Sequence, residues 1–155
     1  MKVRTAVLAA ISIAAIAAPA FADEGCEGDR TPTSAKISAQ VTGLRQIKGE
    51  VTITVYPDDK RRFLAKGGKL ARVRTKALAV TRACFWVPPG NYAIAIYHDE
   101  NADRKFNRTI VGLPAEGFGF SNNPETKVGL PPLSAARFAT GPGEKIVSIQ
   151  TRYFR

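Results

Sequence analysis

Phe85-Trp86-Val87-Pro88-Pro89-Gly90-Asn91-Tyr92-Ala93-Ile94-Ala95-Ile96-Tyr97 is the stretch on which the fold turns. Neither proline can donate to a strand ladder, and Gly90 tolerates positive φ, so Pro88 to Asn91 reads as a tight turn. After it, Tyr92, Ile94 and Ile96 recur with period two and share one face of a strand. Before it, Ala79 to Val87 reads as a second strand. Short apolar strands separated by turn signals of this kind point to an antiparallel β-sandwich.

The same alternation continues on both sides. Val51, Ile53 and Val55 share one face, with Thr52, Thr54 and Tyr56 opposite, and Pro57-Asp58-Asp59 ends the strand. Ile37, Ala39 and Val41 form an earlier strand, and Gly43 to Gly49 connects the two. Leu70 to Thr75, Phe138 to Thr140 and Lys145 to Tyr153 also read as strands, and Phe63 to Gly68 as a short helical turn. In the last strand Val147, Ile149, Thr151 and Tyr153 share a face. From His98 to Arg137 regular patterning is lost. That region holds Gly112, Gly117, Gly119, Gly129, Pro114, Pro124, Pro131 and Pro132. Long irregular segments inside compact domains are usually functional or mobile. With no long amphipathic helix and no internal repeat, the chain is expected to be all-β: an antiparallel sandwich of about seven strands with one long irregular loop region.

Lys2 and Arg4, the apolar run Ala6 to Ala18, Pro19 and the small-x-small Ala20-Phe21-Ala22 have the form of a secretory signal. The run is shorter than the roughly 20 residues a spanning helix needs, so no transmembrane anchor is expected. The expected division is residues 1–22 as signal peptide, cleaved after Ala22, 23–35 as a loose leader, and 36–155 as one domain. A secreted or periplasmic location follows. In such a compartment two cysteines suggest a Cys26–Cys84 disulfide, with a buried free thiol at Cys84 as the alternative.

The chain has 155 residues and a formal charge of +10, which falls to about +8 without the signal. Lys60, Arg61, Arg62, Lys66, Lys69, Arg72, Arg74, Lys76 and Arg82 lie within 23 residues, and no acid occurs between Asp59 and Asp99. Such a block attracts anionic envelope components, or serves as a solvated face. No stacking motif accompanies it, so nucleic acid is not an expected partner.

The loop Asp99-x-Asn101-x-Asp103-x-Lys105-x-Asn107 offers an oxygen at every second position, as in the opening of a calcium loop. Arg104 stands at position six, where glycine makes the turn, and Ile110 at position twelve, where a glutamate belongs. Glu116 can supply that glutamate from the neighbouring segment. The competing reading is an Asx-rich loop that bonds its own backbone. His98, the only histidine, and Glu116 are the weak catalytic candidates, with Asp99 as partner. Gly117-Phe118-Gly119-Phe120 is either a shelf for a carbohydrate ring or peptide, or a packing element. Ser121 and Asn122 complete the candidate ligand-binding set His98, Asp99, Asn101, Glu116, Phe118, Ser121 and Asn122.

Pro88 to Tyr92 resembles the strand-turn-strand feature of transthyretin-like sandwich modules. His98-Asp99-Glu100-Asn101, followed by Gly112-Leu113-Pro114-Ala115-Glu116-Gly117-Phe118-Gly119-Phe120-Ser121-Asn122-Asn123, is similar to the bacterial "domain of unknown function 2141" family. The resemblance runs from about Ile37 to Tyr153, with Arg104 where that pattern has glycine. It implies an exported Ig-like or transthyretin-like β-sandwich with no assigned activity. The expected function is a binding or accessory module of the bacterial envelope, calcium-steadied or polyanion-binding. The alternatives are a hydrolase using His98 with Asp99 or Glu116, and a purely structural envelope protein.

Overall fold

The computed structural model describes residues 25–126 and 129–154. The expected signal and its cleavage point lie outside the described residues. Eight strands and one short helix follow in the order β1 (Ala35–Thr42), β2 (Glu50–Pro57), β3 (Ala71–Lys76), β4 (Thr81–Val87), β5 (Gly90–Asp99), β6 (Gly117–Phe120), α1 (Leu133–Ala136), β7 (Phe138–Thr140) and β8 (Gly143–Gln150). No helix among the described residues is long and apolar enough to cross a membrane.

The strands form a two-sheet, all-β sandwich. One sheet has the order β4-β1-β8 and the other β3-β2-β5-β6, with β7 beside the start of β5. The pairing is antiparallel except between β1 and β8, which run parallel. A parallel pair needs a long crossover. Here the rest of the domain lies between the two strands, so β8 closes the first sheet at the end of the chain.

The period-two faces meet in the middle. Ile37, Val41, Val51, Ile53, Val55, Phe85, Ile94 and Ile149 are buried in one apolar core between the sheets. Each fully buried aliphatic contributes roughly 1.5–3 kcal/mol relative to exposure. The opposite face of β2 departs from expectation. Thr52, Thr54 and Tyr56 read as the polar side of a strand, yet they are also buried. The irregular region folds back over this outer face and adds a second apolar cluster of Ala93, Phe118, Phe120, Leu133 and Ala136. Phe63, Leu64 and Phe106 pack against it.

β6 is a strand within the region where the sequence shows no regular patterning. Its alternation is Gly-Phe-Gly-Phe, and glycine weakens strand propensity. The glycines are needed by geometry. A Cβ on Gly119 would sit 2.7 Å from the Gln150 carbonyl oxygen and 2.8 Å from Ile149, and one on Gly117 would strike the Tyr153 ring. The glycine face of β6 therefore lets the two sheets close at this end, while the phenylalanine face fills the outer cluster.

Cys26 and Cys84 are joined by a disulfide with a Cα–Cα distance of 4.6 Å across 58 positions. Beside it Glu27 N–H donates to the Cys84 carbonyl (3.0 Å) and Trp86 N–H to the Glu27 carbonyl (2.8 Å). The bridge clips the N-terminal segment to β4.

Candidate functional site

His98 and Asp99 end β5, and adjacent strand residues point to opposite faces. His98 turns inward. Its Nε2–H donates to the Lys48 carbonyl (2.7 Å), which leaves Nδ1 to accept from the Tyr153 hydroxyl at 2.7 Å. That hydroxyl in turn accepts from the Arg45 N–H (3.1 Å). Both ring nitrogens are thus used inside the protein and the ring is fully buried. Arg45 closes the group from outside, holding Glu100 by two bonds of 2.6 Å and lying 4.7 Å from the centre of the Tyr153 ring. The Arg45 bond holds the Glu100 carboxyl below its ordinary range. His98 does not converge with Asp99 or Glu116.

Asp99 turns outward and is completely buried. Its Oδ2 accepts from the Arg104 N–H (2.7 Å) and its Oδ1 from the Asp103 N–H (3.2 Å), which wraps the loop around the carboxylate. Arg104 makes the turn with φ +63°, and Ala102 has φ +56°. The left-handed conformation expected of a glycine at position six is therefore present, imposed on an arginine at a cost of roughly 1–2 kcal/mol.

Glu116 lies just before β6 and is buried. Its Oε2 accepts from the Asn107 N–H (3.1 Å). Asp103 is exposed. It accepts from the Lys105 N–H (2.8 Å) and from the side-chain amides of Asn107 (3.0 Å) and Asn101 (3.2 Å). Asp99, Asp103 and Glu116 each bring a carboxylate oxygen within 4.8 Å of the others. Burial, together with the nearby charges of Asp99 and Asp103, pushes the Glu116 carboxyl above its ordinary range. Donors from Asn107, Lys105 and Asn101 hold Asp103 below its own.

A fourth carboxylate was missed in the sequence. Glu50 faces Asp99 across the β2–β5 pair, and directly opposite residues share a side of the sheet. Its Oε2 is buried with no hydrogen-bond partner among the described residues. Only the strand register reveals this, because 49 positions of chain separate the two.

The other candidates lie elsewhere. Ser121 is buried; its Oγ accepts from the Ile94 N–H (2.9 Å) and donates to the Ala136 carbonyl. Asn122, at φ +64°, donates to the Arg137 carbonyl (2.8 Å). Phe118 stacks on Phe154 with ring centres 5.2 Å apart. A cleft of about 210 Å³ opens on the outer face, lined by Tyr56, Arg72, Tyr97, Phe106 and Arg108 among others. Phe106 and Arg108 bring it up against the end of the carboxylate loop. In the basic block, Arg72, Arg74 and Lys76 stand opposite Thr54, Thr52 and Glu50, on one face of edge strand β3. Such charges also deter edge-to-edge pairing between molecules.

Among family models, one described as an uncharacterized protein conserved in bacteria (DUF2141) matches residues 39–148. No curated protein and no solved structure matches the chain significantly.

Proposed function

Since the chain belongs to the DUF2141 family of bacterial proteins, we propose that it is an exported accessory module of the bacterial envelope whose working end is a calcium-binding loop. The observation that carries this reading is the convergence of Asp99, Asp103 and Glu116 within 4.8 Å. Glu116 supplies the carboxylate that the loop lacks at Ile110. Arg104 takes the turn that the loop requires. The unpartnered buried oxygen of Glu50 adds negative potential beside Asp99.

All donors are oxygens, which favours a hard cation over zinc or copper. Each carboxylate oxygen that accepts one backbone N–H keeps a second lone pair. The backbone donors then orient the carboxylates, as partners of metal ligands do elsewhere. Asp99, Asp103 and Glu116 would hold the ion, with the Asn101 and Asn107 amide oxygens completing the set after rotation. A bound ion supplies charge neutralisation. It ties the end of β5, the loop and the start of β6 into one rigid unit.

Titration calorimetry on the chelator-treated full chain tests this. The expected result is one calcium site with Kd on the order of 10⁻⁵–10⁻³ M, the range from sensors to extracellular modules, and weaker magnesium binding. Asp103→Asn should lower the affinity at least tenfold. No heat and no thermal shift with calcium would refute the reading.

The row of Arg72, Arg74 and Lys76 on β3 supports a second reading, an electrostatic contact with envelope polyanions. Retention on a heparin matrix that falls with salt is expected, and retention indifferent to salt would count against it.

A further inference from the structure

Residues 108–114 form a tight hairpin standing out from the sandwich. Arg108 and Pro114 pair across its base, Thr109 N–H donates to the Leu113 carbonyl (2.7 Å), and Gly112 N–H donates to the Thr109 carbonyl (2.9 Å). The Arg108 guanidinium braces it from the side through the Gly112 carbonyl (3.0 Å). The two residues at the tip are Ile110 and Val111. Turn centres normally carry proline, asparagine, aspartate or glycine. Here two β-branched aliphatics stand in water, Ile110 at 107% and Val111 at 79% exposure. Leu113, Leu130 and Phe154 are also exposed and line one cleft at the base of the hairpin. An exposed apolar group of this kind marks a contact surface.

We infer that this hairpin docks the protein onto an anionic phospholipid surface, inserting Ile110 and Val111 among the headgroups. Two features select a bilayer as the occupant. The tip is convex and two residues wide, far too small to bury the roughly 800 Å² per partner of a stable protein interface. The chain leading to it carries Arg104, Lys105 and Arg108, all exposed, which suit anionic headgroups. Fully burying one aliphatic side chain is worth roughly a tenfold to hundredfold gain in partitioning.

The carboxylate loop immediately precedes the hairpin, so the inference also rests on the calcium reading. Without a cation, Arg104, Lys105 and Arg108 stand against Asp99, Asp103, Glu116 and Glu50, one negative charge in excess. Glu100 is neutralised separately by Arg45. A bound divalent cation turns this into one positive charge in excess beside the apolar tip. Docking is therefore strengthened by calcium.

Co-sedimentation of the full chain, expressed from its own Met1, tests this. The probes are vesicles of phosphatidylcholine with a minority of phosphatidylglycerol, and vesicles of phosphatidylcholine alone, each with calcium or chelator. The protein should pellet with the anionic vesicles, and more strongly with calcium. The double variant Ile110→Ser, Val111→Ser, which removes the apolar tip without adding a carboxylate to the loop, should lose at least tenfold in partitioning while keeping its calcium heat. Its replaced side chains are exposed, so folding is spared. Equal pelleting of variant and parent overturns the inference, as does a parent that stays in solution with calcium present. So does a parent that self-associates in sedimentation velocity, ignores vesicles, and becomes monomeric on the same substitution. Vesicle binding that depends on the tip, but without calcium heat, supports the docking hairpin and overturns the calcium site instead.

Discussion

Glu116→Gln should stabilise the protein without calcium and destabilise it with calcium. Asp99 and Glu116 are both buried, with carboxylate oxygens within 4.8 Å. At an effective dielectric of about 20, two like charges at that distance repel by about 3 kcal/mol. The glutamine keeps an acceptor for the Asn107 N–H but loses the charge-assisted part of that bond and the long bond from the Asn107 side-chain amide to Oε1 (3.4 Å), together about 1 kcal/mol. The net gain in chelator is about 2 kcal/mol, or roughly 6 °C in Tm for a domain of this size. In calcium at about a thousand times Kd, the parent gains about 4 kcal/mol of linkage and the variant little. The order of stability therefore reverses. The pH dependence follows from the raised carboxyl of Glu116. A folded-state pKa above the unfolded one contributes stability that is complete below the unfolded value and lost as pH rises through the folded value. The variant's advantage in chelator should thus be largest at about pH 8, above the carboxylate range, and shrink on acidification. Thermal denaturation followed by circular dichroism, with chelator and with calcium at several pH values, reads all of this. A variant less stable than the parent in both conditions would refute the argument, because Glu116 would then be an ordinary hydrogen-bonding residue.

Arg104→Gly relieves a left-handed residue and removes a positive charge beside the loop. It should raise stability by up to about 1 kcal/mol and tighten calcium binding, whereas Arg104→Ala should not stabilise; equal denaturation midpoints for the two variants would contradict the strain assignment. Replacing Cys26 and Cys84 with serine opens a loop of 58 positions. On the chain-entropy model this costs about 4 kcal/mol, read as a loss in urea midpoint. Gly119→Ala places a methyl 2.7 Å from the Gln150 carbonyl oxygen. It should destabilise by roughly 1–3 kcal/mol in equilibrium unfolding, and a neutral result would mean that the two sheets are not closed there.

Strand faces are local properties, so the core strands could be read directly. Val51, Ile53 and Val55 carry their burial in a period of two, and Pro88 and Pro89 separate β4 from β5, although Gly90 and Asn91, expected in the turn, already belong to β5. The disulfide followed from cysteine count and expected compartment. The carboxylate loop was legible for the same reason, since Asp99 to Asn107 is one contiguous motif. What stayed hidden depends on residues distant in the chain. β6 looked like a glycine-rich loop because its glycines answer to Gln150, Ile149 and Tyr153, which the sequence does not place beside them. Thr52, Thr54 and Tyr56 looked solvated because nothing local says that a second cluster covers them. The partners of His98 are of the same kind, since Lys48 and Tyr153 reach its two nitrogens only in the folded chain. The sequence by itself determined the all-β class, the cysteine pair and the oxygen-rich loop, since each is written in neighbouring residues or in a count. Tertiary structure alone decided that Glu116 joins that loop, that Glu50 stands beside it, and that Ile110 and Val111 crown a hairpin. Those are matters of sheet register and chain reversal, which long-range packing sets.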